Sequence, residues 1–405
     1  MSYLASYYQD WRRFPRSVQL FYVSDIFFGV SSGILTTLFN LHLLAIGYTP
    51  DHVGVLQSVA ALVTAISAIP AGVLGDRWSR KYLYVAGSLL FALPYLMVPG
   101  LGSYPLLVAI YALGMVGHTL MMVNESPILA GEVGPELRAS VFSFMMVNYF
   151  IWQTAGIQLA GWLTTALPAG ARSQYEWPLV LAGLSGLLSG VIRGLIPFRP
   201  QTRSARTYPI RPGRIAFLLA AINLLAGSFT VLTQNFSNVI LAGRFAFDTE
   251  QIADILTVAS ILGWIGSLLV PWTSRRIGNI RGYVLVVALQ GIALVFMGFA
   301  GAPAAFLAAF GLRAILNTMQ SVFFWAFAMD VTPESMRATA NSIAMVGSNL
   351  GASVAAKGYG LALSAHNYLL PFLLAGILAF STALLTALAF CDQLRVGPRG
   401  VVKPG

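Results

Sequence analysis

Twelve apolar runs follow one another along the chain, at 18–46, 52–74, 82–100, 104–131, 139–167, 177–197, 214–241, 250–271, 282–301, 303–329, 337–363 and 367–391. Each is close to or above the roughly 20 residues that cross a hydrocarbon core of about 30 Å as a helix. In lipid a segment must satisfy its own backbone polar groups, which a helix does unaided, so the runs predict an all-α integral membrane protein. Composition agrees, with 57% apolar and only 9% charged residues among 405, against about 25% charged in soluble domains. The first run exceeds a signal-peptide core of about 7–15 residues and reads as a retained helix. A single cysteine, Cys391, excludes an internal disulfide framework and a cysteine-based metal cluster.

A net charge of +10 invites a nucleic-acid reading, and the placement of the cations argues against it. With the N-terminus inside, 20 of the 24 Lys and Arg fall in inside connections and tails, including six from Arg193 to Arg214 around the central loop. Arg172 and Arg244 fall outside, and Arg313 and Lys357 within runs. This asymmetry is the positive-inside pattern, so basicity sets topology rather than a nucleic-acid partner. The expectation is a multi-pass protein of the cell membrane, of bacterial inner-membrane type, with both termini cytoplasmic.

The longest polar connection, 199–214, separates six runs from six. It divides the chain into a cytoplasmic segment 1–17, a bundle 18–198, a linker 199–213, a second bundle 214–391 and a tail 392–405. The halves echo each other: Glu132-Val-Gly-Pro-Glu-Leu-Arg138-Ala parallels Asp330-Val-Thr-Pro-Glu-Ser-Met-Arg337-Ala, 198 positions further on and with one inserted residue. A shift of about half the length argues for a duplicated six-helix unit. With Arg193 assigned to the central connection, only Gln290 of 21 strongly polar residues inside the runs lies in the third, sixth, ninth or twelfth. Polar groups facing lipid are costly, so the other eight runs are expected to line a wet cavity.

Between the second and third runs stands Gly72-Val-Leu-Gly-Asp76-Arg77-Trp-Ser-Arg80-Lys81. It resembles the signature loop of the major facilitator superfamily, G-x-L-x-D-R-x-G-R-K, with six of seven fixed positions matched and Ser79 at the later Gly. The resemblance implies two pseudo-symmetric six-helix bundles around a central cavity, with the loop as a conformational latch. It also implies Asp76 near the start of the eleventh helix at Arg337, and Arg77 or Arg80 beside Glu132. The latch set is Gly72, Asp76, Arg77, Arg80, Lys81, Glu132, Arg138 and Arg337. In the second half, Gly266 through Arg275-Arg276 keeps the glycine and the basic pair without a counterpart of Asp76. The fourth run has no Arg and the fifth offers only Gly156-Ile-Gln-Leu-Ala-Gly161, a departure from the superfamily's drug/proton antiporters.

Asp25 and Glu125 each sit roughly 10 Å inside their runs, at one depth. A carboxyl held away from water can take up and release a proton as its surroundings change. His118, two turns before Glu125 on the same face, extends the set. Asp25, Glu125 and His118 are therefore the proton-coupling candidates, and hydrogen-bonded gate residues are the other reading. Arg313, Asn317 and Gln320 form one helical stripe, and an Arg deep in a span needs an anionic partner. With Asn40, Gln153, Asn235, Phe236 and Trp325 they are the substrate-binding candidates. Lys357 is expected to snorkel outward, and Asp254 to pair with Arg244 or cap its helix.

These residues point to a secondary transporter working by alternating access, with proton-coupled export of small amphipathic molecules as the leading reading. Uptake of a polar or anionic metabolite, or movement of a lipid-like substrate, is the alternative. A lipid-modifying membrane enzyme is the competing class, but His42, His52, His118 and His366 make no metal-binding spacing, and no phosphate-binding loop is present. The expectation is a monomeric non-enzyme with no cofactor, drawing on an ion gradient of H+, whose partners are a small-molecule substrate and the bilayer.

Overall fold

The computed structural model describes residues 11–98, 102–167, 171–199, 213–333 and 336–391, and of Asp76, Pro135, Ala139, Ala171, Arg172, Ser173 and Ala338 the backbone alone. Most of the expected segment 1–17, linker 199–213 and tail 392–405 lies outside the described residues. The described chain is helical and carries no strand. Its helices are α1 (Arg16–Ala45), α2 (Pro50–Arg77), α3 (Arg80–Met97), α4 (Tyr104–Glu132), α5 (Pro135–Ala166) and α6 (Ala171–Leu195). They continue as α7 (Arg214–Asn235), α8 (Ser237–Phe245), α9 (Thr249–Ile277), α10 (Asn279–Phe299), α11 (Pro303–Val331), α12 (Arg337–Ser364) and α13 (Leu369–Ala389).

Nine of the described helices are long and apolar enough to cross a membrane. Of the other expected spans, α3 is 18 residues long and opens on Arg80 and Lys81, whereas α5 and α12 carry several amides and hydroxyls. The expected seventh run is two helices: α7 stops at Asn235 and α8 begins at Ser237, with Phe236 between them at φ −118° and ψ 4°. The polar run Gln234-Asn235-Phe236-Ser237-Asn238 supplies side chains that compete with backbone bonding. Ser237 indeed turns its hydroxyl back to the Thr233 carbonyl, and the Asn238 side chain accepts from the Val239 amide at 2.9 Å.

The chain forms two compact units. The first takes in the described parts of Met1–Tyr48, Val63–Tyr208 and Asp248–Asp254, and the second those of Thr49–Leu62, Pro209–Phe247 and Ile255–Gly405. In the first, α1 packs on α5 and α6, and α3 on α4 and α6. In the second, α7 packs on α12 and α13, and α10 on α11 and α13. With α7 and α8 counted as one span, these are the same pairings six spans apart, which is the duplication written in three dimensions.

Glycines set the closest pairings. Gly29 and Gly33 of α1 lie against the α5 backbone from Tyr149 to Ile157, so that a Cβ on Gly29 would fall 2.8 Å from Trp152 Cβ. Gly227 of α7, 198 positions after Gly29, meets the backbone of Ser348 on α12 in the same way. In lipid there is little hydrophobic drive between helices, so close backbone approach through small residues carries much of the association.

The short segments of α2 and α9 that join the opposite unit have their own bonds there. In the second unit Asn235 Nδ2 donates to Gln57 Oε1 at 2.8 Å, Ser353 Oγ to the Ser58 carbonyl at 2.8 Å, and the Asp51 amide to Ser364 Oγ at 2.7 Å. In the first, Gln158 Nε2 donates to Asp254 Oδ1 at 2.9 Å. The expectation that Asp254 meets Arg244 therefore fails. Arg244 instead donates to the carbonyls of Met297, Gly298 and Ala300 at 2.8–3.0 Å, because the C-terminus of α10 offers unbonded carbonyls and partial negative charge.

Candidate functional site

Arg193 is the centre of the first unit's polar interior, and its place corrects the sequence reading. The sequence groups it with the central loop's cations and marks the sixth span as lipid-facing. Arg193 in fact sits in the last turn of α6 and is fully buried. A helical side chain leans toward the N-terminus of its helix, so an Arg at this end reaches back into the bundle rather than out of it. The signal was present: the run 177–197 already encloses Arg193, and an Arg within a span needs a partner.

Two carboxylates meet this guanidinium. Its Nη2 lies 3.4 Å from Asp25 Oδ1 and 3.9 Å from Glu125 Oε2. Nη1 donates to Ser88 Oγ at 3.0 Å and Nε to Ser24 Oγ at 3.4 Å. The rings of Tyr84 and Phe28 stand 4.7 and 4.9 Å from its central carbon, within cation–π range. Tyr84 also donates its hydroxyl to Glu125 Oε2 at 3.1 Å. Asn148 Nδ2 donates to Asp25 Oδ2 at 3.3 Å and to the Tyr22 carbonyl at 3.2 Å. Side chains from α1, α3, α4, α5 and α6 thus converge, and the structure brings Asp25 and Glu125 together as their common depth suggested.

The charge balance follows from the residue types. Arg remains protonated in proteins, so two ionised carboxylates leave the cluster one negative charge in excess, and one proton makes it neutral. Unpaired buried charge is costly, so such a cluster can hold a single proton on either carboxyl. His118 packs its ring against Phe91 with centroids 5.3 Å apart, and its Nδ1 is buried without a hydrogen-bond partner among the described residues.

Among its described residues the second unit has no such cluster. The positions 199 beyond Tyr84 and Glu125 are Tyr283 and Phe324, whose rings meet at 5.8 Å. The Tyr283 hydroxyl is buried without a partner among the described residues. Arg313 is 4% exposed. Its Nη2 reaches only the Thr230 carbonyl, at 3.5 Å, and its Nε is buried without a partner among the described residues. Of the stripe expected with it, Asn317 is half-buried, and Gln320 is turned onto α10, where its Oε1 accepts from the fully buried Gln290. Asn235 is engaged with Gln57 and Phe236 is fully buried at the break after α7. Trp325 is 40% exposed and edge-on to Phe324. Asn40 is buried and Gln153 half-buried, both in the first unit.

Around the loop after α2, close packing falls at Gly75 rather than Gly72. A Cβ on Gly75 would strike Asn124 Oδ1 and lie 3.4 Å from Arg80 Nη1, whereas one on Gly72 makes only an ordinary 3.8 Å contact with Val123. Arg77 is exposed and Lys81 half-buried; the Asp76 side chain lies outside the described residues. Glu132 is buried and accepts from Ser17 Oγ at 2.5 Å and the Arg199 amide at 2.6 Å. Arg138 and Arg337, the paired positions of the repeat, each donate Nε to a carbonyl near the end of the preceding helix, Ala130 at 3.3 Å and Thr332 at 3.4 Å. In the second half, Asn279 Nδ2 donates to Asp330 Oδ2 at 2.7 Å, and Asn279 Oδ1 accepts from Ser274 Oγ at 2.6 Å.

The family model described as Major Facilitator Superfamily matches residues 21–356. No curated protein sequence matches the chain. Among solved structures, a nucleoside transporter, NupG, is similar at a TM-score of 0.74 and 14% identity, over 94% of this chain and 100% of that one. A bacterial homologue of the human lysosomal transporter Spinster, inward-facing and occupied, gives 0.76 and 13% over 94% and 98%. A D-xylose–proton symporter gives 0.75 and 13% over 91% and 96%. At these identities the likeness carries the fold.

Proposed function

Because the chain belongs to the major facilitator superfamily, and is thus a multi-pass membrane transporter and not an enzyme, we propose that it is a proton-coupled secondary transporter working by alternating access. The observation that carries the coupling is the one guanidinium shared by two carboxyls, Asp25 and Glu125 on Arg193. One proton on the pair switches the cluster between neutral and singly negative, and each coupled proton supplies about 1.4 kcal/mol per pH unit of gradient. Arg193 keeps that charge inside the bundle when the proton leaves. His118 stands two turns away as an auxiliary proton acceptor. The direction proposed is export of small amphipathic molecules, with Arg313, Asn317, Gln320, Asn40, Gln153, Asn235, Phe236 and Trp325 as substrate contacts. The chain is proposed to act as a monomer in a bacterial inner membrane with both termini cytoplasmic. Gly72, Asp76, Arg77, Arg80, Lys81, Glu132, Arg138 and Arg337 act as its conformational latch.

The test uses purified full chain in liposomes under an imposed pH gradient, scored against amphipathic cations, anions and neutral compounds. Gradient-driven flux is expected in the wild type. Asp25→Asn and Glu125→Gln are expected to lose gradient-driven accumulation while retaining counterflow. If both variants move substrate with unchanged pH dependence, the proton site is wrong.

A further inference from the structure

The charged interiors of the two units are unbalanced in opposite senses. The first holds two carboxylates on one guanidinium, as described. In the second, Arg313 is buried within α11, while the carboxylates among its described residues are Asp51 and Asp330. Both stand at helix ends. Asp51 is in the first turn of α2, and Asp330, in the last turn of α11, is bound by Asn279. Along α11, Asp330 is about 25 Å from Arg313 at 1.5 Å per residue.

A buried guanidinium with five donors and one long bond to a carbonyl is far from satisfied. Helices α7 and α12 frame it without offering an anion. The Thr230 carbonyl of α7 takes the single 3.5 Å bond, and the Tyr359 hydroxyl of α12 is spent on the Ser228 carbonyl at 2.9 Å. The planar fork of Arg matches a carboxylate, sulfonate or phosphate through two parallel bonds. Lys357, exposed on α12, adds positive potential to the same unit. We infer that Arg313 is the anion-recognising residue of the substrate site and that the transported amphipathic molecule carries an anionic group.

This rests on the transporter reading above and narrows its substrate class. A bound anion satisfies Nε and supplies the negative charge that no described carboxylate brings to Arg313, just as one proton satisfies the first unit's cluster.

Binding is measured on purified full chain in neutral detergent, by ligand-dependent quenching of tryptophan emission and by thermal unfolding. The probe is 1-naphthalenesulfonate, which stays ionised at all working pH values, with neutral 1-naphthalenesulfonamide as the matched control. Wild type is expected to bind the sulfonate at least about tenfold more tightly than the sulfonamide, the size of one charge-assisted bond. Arg313→Gln should lose that preference and Arg313→Lys should keep part of it. Equal sulfonate binding by Arg313→Gln, or no preference over the sulfonamide in the wild type, overturns the assignment. Displacement of the sulfonate by equimolar phosphatidylglycerol, with no sulfonate flux in phosphatidylcholine liposomes, assigns Arg313 to a lipid headgroup and overturns it as well. The two proposals fail separately. Loss of all pH-driven flux with Arg313-dependent binding intact removes the coupling and leaves the anion site. Arg313-independent binding with Asp25- and Glu125-dependent coupling does the reverse.

Discussion

The guanidinium of Arg193 stands 3.4 Å from the carboxylate of Asp25, although 168 residues separate them. The same nitrogen is 3.9 Å from Glu125, so removal of the cation would strand two buried carboxyls at once. Arg313 is the converse case, a buried cation whose hydrogen-bond partner among the described residues is a backbone carbonyl.

Replacing Arg193 by Met is therefore expected to destabilise the first unit by about 3–5 kcal/mol, the usual cost of breaking a buried pair from one side. Adding Asp25→Asn should restore part of it, since the second change removes a charge the first left bare. The deficit of the single variant should be larger at pH 8 than at pH 5, because protonating either carboxyl relieves the unpaired charge. Thermal unfolding of both variants across pH checks all three statements.

The hydroxyls of Tyr84 and Tyr283 offer a matched comparison. Tyr84→Phe takes a donor from Glu125 and is expected to cost about 1.5–3 kcal/mol, the range for a hydrogen bond to a charged group. Tyr283 has a buried hydroxyl without a partner among the described residues, so Tyr283→Phe should be neutral or slightly stabilising. Equal Tm shifts in the two variants would contradict the asymmetry between the units.

Within the loop motif, Gly75→Ala should be the damaging change and Gly72→Ala the tolerated one. The new methyl at Gly75 meets Asn124 Oδ1, in a fully buried side chain, for an expected loss of about 1–3 kcal/mol. At Gly72 the neighbour is 3.8 Å away, and the change should stay within about 0.5 kcal/mol. Unfolding temperature and the yield of monodisperse protein are the measurements.

Gly29→Val and Gly227→Val should impair folding alike, since each drives a side chain into the opposing backbone of the paired helix. Folded yield after detergent extraction is expected to collapse for both. Retention of full yield by either would show that its helix pair has room to separate.

How much of this was legible follows from where each signal resides. Helix positions were readable because a span is a run of apolar residues long enough to cross lipid, a local property. The break at Phe236 was missed because its cause, side chains competing for backbone bonds, leaves hydropathy almost unchanged. Asp25 and Glu125 could be paired by depth, since depth is a count along a helix. The place of Arg193 is not legible in the sequence because a span end reads as a surface, whereas its side chain reaches back among Ser24, Ser88 and Tyr84.

By itself the sequence determined the membrane setting, the six-plus-six duplication and the loop motif, all of which are matters of periodicity, length and order along one chain. Only the tertiary structure decided which charges meet. Partner choice depends on rotation about each helix axis and on side-chain reach across several helices. Those are fixed by glycine-to-backbone contacts such as Gly33 on Gln153 and Gly351 on Leu224, which no single segment encodes.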